Sequence, residues 1–121
     1  MKKINAAVVQ HACNNDHKDN LSSSIAGIEK AAQQGADLVL LPELNSLPYF
    51  CITEAPNNFD LAETIPGKTS DTLVEVAKKH NIIIVTTIFE KRAKGLYHNT
   101  AVVIDKDGSI AGTYRKMHIK D

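Results

Sequence analysis

Two ionisable residues in this chain stand where neighbouring runs of backbone would hold them for chemistry. Glu43 follows the uniformly apolar Leu38-Val39-Leu40-Leu41 and then Pro42, a residue that cannot extend a hydrogen-bonded ladder and so ends a strand. A carboxylate at the top of an apolar strand is partly desolvated, which raises its pKa toward the range of a general base. Lys116 lies in Tyr114-Arg115-Lys116-Met117-His118, after a second strand-like run. Strand alternation puts Arg115 on one face and Tyr114 with Lys116 on the other. An inward-pointing lysine needs a carboxylate partner, and Glu43 is available for that role. On spacing alone, a solvated loop glutamate and a basic strand end fit the same residues.

Thiols and imidazoles carry less. Cys13 and Cys51 are the only cysteines, and an isolated cysteine is commonly a small buried hydrophobe rather than a nucleophile or half of a redox pair. The five histidines, His11, His17, His80, His98 and His118, are scattered without the spacing of a zinc site. Neither a glycine-rich phosphate loop nor the His-x-Glu with Cys-x-x-Cys of a zinc deaminase occurs. Metal and nucleotide sites are therefore not expected.

The elements that must carry Glu43 and Lys116 are legible as changes of hydrophobic period. Ile4 to Val9 is β-prone, and Asn14-Asn15-Asp16 supplies loop and capping chemistry. Leu21, Ile25, Ile28 and Ala32 recur at helical spacing, ending near Gly35. Leu38 to Leu41 is short and all apolar, the signature of a buried parallel strand, which completes a βαβ unit. A long loop from Glu43 to about Lys68, broken by Pro48, Pro56 and Pro66-Gly67, is of a length that is often functional. Thr69 and Ser70 are expected to cap a second helix with Leu73, Val76, Ala77 and His80 on one face. Ile82 to Phe89 predicts another buried strand. Lys94-Gly95 and Asp107-Gly108 predict hairpin turns around Tyr97 to Ile104, and Ser109 to Arg115 a further antiparallel strand. The expected class is α/β, a mixed sheet with helices packed on it.

Composition narrows the rest. The chain has 121 residues, 43% hydrophobic, with 14 basic and 14 acidic side chains. That length fits one domain, and the neutral balance argues against nucleic acid and polybasic membrane partners. Lys2 and Lys3 precede an apolar run too short for a secretory signal, and no stretch approaches the span of a bilayer. The expected location is the cytoplasm.

Leu38-Val39-Leu40-Leu41-Pro42-Glu43-Leu44 and Tyr114-Arg115-Lys116-Met117-His118-Ile119 together resemble the nitrilase, or carbon–nitrogen hydrolase, superfamily. They correspond to its glutamate and lysine motifs, about 70 residues apart and in the family's order. The resemblance extends through Ile4 to Gln10, Gly35-Ala36-Asp37, Ala77-Lys78-Lys79, His98-Asn99-Thr100 and Ile104-Asp105, so it covers the whole chain. Pro42-Glu43-Leu44 followed by Pro48-Tyr49-Phe50-Cys51 looks most like the N-carbamoylputrescine amidase branch. The β-ureidopropionase and N-carbamoyl-amino-acid amidohydrolase branches are near alternatives.

The resemblance implies an α-β-β-α sandwich and a Glu-Lys-Cys set, without metal or organic cofactor, acting on a small ureido or amide substrate. Glu43 would be the general base and Lys116 the oxyanion stabiliser, with Tyr49 lining the substrate end of the pocket. A cysteine thiolate would attack the carbon, expel ammonia and leave a thioester for water. In the family that cysteine follows the lysine motif on a later strand, so neither Cys13 nor Cys51 matches it. Residues 1–121 are therefore expected to be the N-terminal part of a single hydrolase domain about twice as long, usually a homo-oligomer in its full-length form. The alternative is an inactive half-domain that covers its exposed sheet by associating with another chain.

Overall fold

A computed structural model describes residues 3–10, 17–41 and 62–115. The described residues form five strands and two helices, in the order β1 (Ala6–Val8), α1 (His17–Gln33), β2 (Leu38–Leu40), α2 (Lys68–His80), β3 (Ile83–Ala93), β4 (Leu96–Ile104) and β5 (Ile110–Arg115). The strands form one sheet in sequence order. β1, β2 and β3 run parallel, β4 is antiparallel to β3, and β5 is antiparallel to β4. Consequently β5 points the same way as β2, and both carboxyl ends lie on one edge of the sheet. The mixed α/β sheet expected from the sequence is present.

The core is the layer between the helices and one face of this sheet. Ile84 and Ile88 of β3, Val102 and Ile104 of β4, and Val39 of β2 pack there with Ile28 of α1 and with Leu73 and Ala77 of α2. The alternation of two along each strand sends these residues to the helix side. The helical stripes supply the other half of the layer. Helix α1 lies so close to the first strand that only glycine fits at position 27, where an added Cβ would overlap Val9 Cγ1. We predict that Gly27→Ala lowers the melting temperature. Alanine gains up to about 1 kcal/mol of helix propensity, but overpacking against the stiff, buried Val9 costs about 1–3 kcal/mol. An unchanged or raised midpoint in a thermal melt would refute that packing.

The turns follow the sequence closely. Gly95 and Gly108 adopt positive φ (79° and 87°) at the two predicted hairpins. In the second, Asp107 accepts hydrogen bonds from the Ser109 amide and hydroxyl at 2.9 and 2.6 Å.

Three expectations need correction. Gly67, not Thr69 or Ser70, is the N-cap of α2. Ser70 works from inside the first turn, its Oγ accepting from the Gly67 amide at 2.8 Å. Thr69 gives its amide and hydroxyl to the Glu63 carboxylate at 2.7 and 2.6 Å, an acceptor placed at the positive end of the helix. Second, the stretch read as one long loop is not wholly irregular: Glu63 forms a parallel bridge with Glu90 of β3. Third, β2 is parallel as expected but not buried on both faces. Val39 is fully buried on the helix side, whereas Leu40 is 43% exposed on the other.

That second face is open at its flanks but covered at Phe89 of β3, which is 3% exposed. Val8 is 65% and Tyr114 70% exposed, both on the side away from the helices by the register of β1 and β5. No helix among the described residues is long and apolar enough to cross a membrane.

Candidate active site

The three residues expected to form the site, Glu43, Lys116 and Tyr49, lie outside the described residues, as do Cys13 and Cys51. What the structure describes is the frame on either side of them, and its organiser is β3.

The segment that leads to Glu43 ends its described course at Leu41, whose amide donates to Val85 O of β3 at 2.9 Å. The chain returns at Glu63, which bonds the same edge of β3 through its amide to Phe89 O (3.0 Å) and through its carbonyl from the Lys91 amide (2.7 Å). The excursion that contains Glu43 and Tyr49 therefore leaves and re-enters one lane of the sheet. Its two anchor carbonyls are four residues apart on β3, about 13 Å at strand rise.

On the other side of β3, the segment that leads to Lys116 is held by side chains. Arg115 is the last residue of β5 and pairs with Thr100, which pairs with Ile88 of β3. Leu41, one residue past the Leu40–Val85 pair, and Arg115, level with Ile88, are the last described residues before the two motif positions; both lie toward the same edge, about 7 Å apart along β3. Three strand spacings, about 14 Å, separate β2 from β5.

Across that gap lies a carboxylate that the sequence reading did not single out. Glu90 is 2% exposed on the helix side of β3. Its Oε1 accepts from Arg115 Nε at 2.7 Å and from Thr100 Oγ1 at 2.8 Å, and its Oε2 from Arg115 Nη2 at 3.0 Å. The guanidinium reaches over β4 to make this two-pronged contact, a geometry lysine cannot reproduce. Arg115 and, more weakly, Thr100 hold the Glu90 carboxyl below its ordinary range, against the opposing pull of burial. Glu90 raises Arg115 in return. Both groups are thus charged through the neutral range.

One signal in the sequence pointed to Glu90. Continuing the alternation from Ile84 through Thr86 and Ile88 puts it on the buried face, where a carboxylate requires a cation. Alternation also separates Arg115 from Tyr114, as the sequence reading expects: Arg115 meets Glu90 while Tyr114 lies on the open face. Among the described residues, no cluster of three or more His, Cys, Asp or Glu side chains has the proximity to hold a metal ion.

Comparison with known proteins places this frame in a family. The carbon–nitrogen hydrolase family model matches residues 5–121. The chain is 41% identical to a citrullinase of Francisella tularensis, covering 100% of this chain and 42% of that protein. It is 33% identical to an N-carbamoylputrescine amidase of Solanum lycopersicum, covering 98% and 39%. The fold superimposes on the crystal structure of a carbon-nitrogen hydrolase from Helicobacter pylori with a TM-score of 0.89 and 45% identity, over 98% of this chain and 41% of that one. The chain therefore spans about two-fifths of the length of these relatives. On the match along nearly its whole length, the chain belongs to the carbon–nitrogen hydrolase family.

Proposed function

We propose that these 121 residues are the N-terminal part of a single hydrolase domain that cleaves N-carbamoylputrescine to putrescine, carbon dioxide and ammonia. In this reading Glu43 and Lys116 are catalytic, Tyr49 lines the substrate pocket, and the nucleophilic cysteine lies beyond Asp121. The observation that carries it is the convergence of the two motif strands on one edge of the sheet, Leu41 and Arg115 being tied to the same strand, β3.

The chemistry follows from the groups. Glu43 takes the thiol proton, and the thiolate attacks the ureido carbon. Lys116, as the ammonium, neutralises the oxyanion of the tetrahedral intermediate. Collapse breaks the bond to the terminal nitrogen, which leaves as ammonia after receiving the proton from Glu43. The carbamoyl group stays on sulfur as a thioester-like intermediate. Water, deprotonated by the same carboxylate, then releases a carbamic acid that decomposes to the amine and carbon dioxide. No step calls for a metal or an organic cofactor. The whole protein is proposed to act in the cytoplasm as a homo-oligomer, without nucleic-acid or membrane partners.

Two relatives frame the substrate question in chemical terms. Citrulline and N-carbamoylputrescine share a terminal ureido group on a short aliphatic chain, and citrulline carries an additional α-carboxylate. Pro48-Tyr49-Phe50-Cys51 favours the amine substrate. The test is ammonia release from each compound by the chain expressed with the coding sequence that follows Asp121. Turnover of N-carbamoylputrescine at the higher kcat/KM is expected. A preference for citrulline would overturn the substrate, and no ammonia from either ureide would overturn the reading of a ureido hydrolase.

A second reading, an inactive half-domain that associates with another chain, is favoured by the open sheet face with Val8, Leu40 and Tyr114. Apolar surface of this kind drives association. The 121-residue chain alone is expected to self-associate and to bind a hydrophobic dye, read by size-exclusion chromatography and fluorescence. A monodisperse monomer with a cooperative melt would remove that reading.

A further inference from the structure

We infer that Glu90 is a positioning residue for Lys116, acting through the Arg115 side chain. The inference rests on the proposed catalytic role of Lys116 and goes beyond it, because it assigns a task to a carboxylate whose oxygens are taken up by Arg115 and Thr100.

The argument begins with what holds Arg115. It closes the ladder between β4 and β5, whose described pairing ends at Thr100 and Arg115. β5 is the outer strand of the described sheet, and the last residue of an outer strand frays readily when only one neighbour pairs with it. Here the end is tied a second time. The planar guanidinium meets both carboxylate oxygens of Glu90, two strands away, at 2.7 and 3.0 Å. Two parallel charge-assisted bonds fix the side-chain rotamer as well as its position. A fixed rotamer on a paired residue leaves little freedom in the backbone from which Lys116 departs.

Glu90 is itself held from every side available to it. Its backbone lies in β3 between Phe89 and Lys91, which bond the returning chain at Glu63. Its Oε1 also takes the Thr100 hydroxyl from β4, and His98 pairs with it across the ladder. The carboxylate is therefore a fixed point to which the approach to the lysine motif is tied. The same strand anchors both ends of the excursion that contains Glu43. One residue thus links the frames of the two motifs. An error of about 1 Å in placing a catalytic group costs on the order of 100-fold in rate, so a tether of this kind acts on turnover more than on substrate affinity.

The test uses the whole protein, with rates counted per titrated active-site thiol and measured well below each variant's melting temperature. Lys116→Met is measured first and is expected to abolish turnover. Glu90→Gln, which keeps the shape and loses the charge, is expected to lower kcat by 10- to 100-fold with KM within threefold of the parent. Arg115→Lys is expected to do the same, because an ammonium cannot grip both oxygens. Glu90→Asp, which keeps the charge on a shorter arm, is expected to recover part of the loss. A kcat within twofold of the parent in folded Glu90→Gln, with a lowered melting temperature, would make the pair a brace of the fold and overturn the inference alone. Full turnover by Lys116→Met would overturn the catalytic reading and this inference with it. Where Glu90→Gln does not fold, Arg115→Lys decides: it keeps the charge but loses the two-pronged contact with Glu90, and an undiminished kcat would refute the tether.

Discussion

In the whole protein, Glu43→Gln is expected to reduce kcat by about 1,000-fold, the middle of the range for losing a general base in whichever of the two proton-transfer steps is slower. Glutamine keeps the size and hydrogen-bonding reach of the side chain but accepts no proton. Formation of the acyl-enzyme would then depend on the small fraction of cysteine that ionises unaided, and its breakdown on unactivated water. KM should move little, since the proton transfers belong to the chemical steps rather than to binding. The two halves of the reaction are separable. Rapid-quench measurement of ammonia release reports acylation, and mass spectrometry of the intact protein reports any acyl-enzyme that accumulates. If glutamine slows only deacylation, the modified protein accumulates and Glu43 is the base for water alone. Turnover within tenfold of the parent would remove Glu43 from the proton transfers altogether.

Most of the frame around that residue is legible in sequence because short-range physics dictates it. The stripe Leu21, Ile25, Ile28, Ala32 can bury one face only as a helix, and α1 spans it. Lys94-Gly95 and Asp107-Gly108 favour the positive φ that their hairpins adopt. The Gly67 cap was missed because a serine hydroxyl can serve a helix start either from the cap position or from three residues inside. Only the placement of Glu63 against Thr69 decides between them.

The partial exposure of β2 escaped for another reason. An all-apolar run is equally suited to a strand covered on both faces and to one whose second face meets something beyond the described residues. Glu90 was harder still. Its partner Arg115 is 25 positions away and two strands across, and no local period encodes a contact that exists only once β3, β4 and β5 are in register. Glu43 and Lys116 stand apart from all of these. They were legible through motif resemblance, and they lie outside the described residues, so activity measurements carry their assignment.

The second large effect concerns stability. In the whole protein, Glu90→Ala is expected to cost about 3 kcal/mol, because it leaves a guanidinium and a hydroxyl facing a vacated, mostly buried site. The Arg115 side chain retains 35% exposure, so water relieves part of the loss and keeps the cost toward the lower end for a broken buried pair. For a protein of family length this corresponds to a fall of roughly 6 °C in melting temperature. The double variant Glu90→Met with Arg115→Met is expected to recover part of that fall, since two apolar side chains of similar length leave no orphaned charge. The pair also makes the parent sensitive to acid. The native Glu90 carboxyl is held below the ordinary value of 4.5 by Arg115, so the unfolded chain takes up this proton first as pH falls. The contribution of the pair is therefore complete above about pH 5 and declines as pH drops from there through the native pKa. Melts recorded from pH 7 to pH 3 should show a steeper acid loss for the parent than for the double methionine variant, with the two curves converging at low pH. Parallel curves across that range would mean that the Glu90–Arg115 pair contributes equally at every pH, and would refute the charge-linked stabilisation assigned to it.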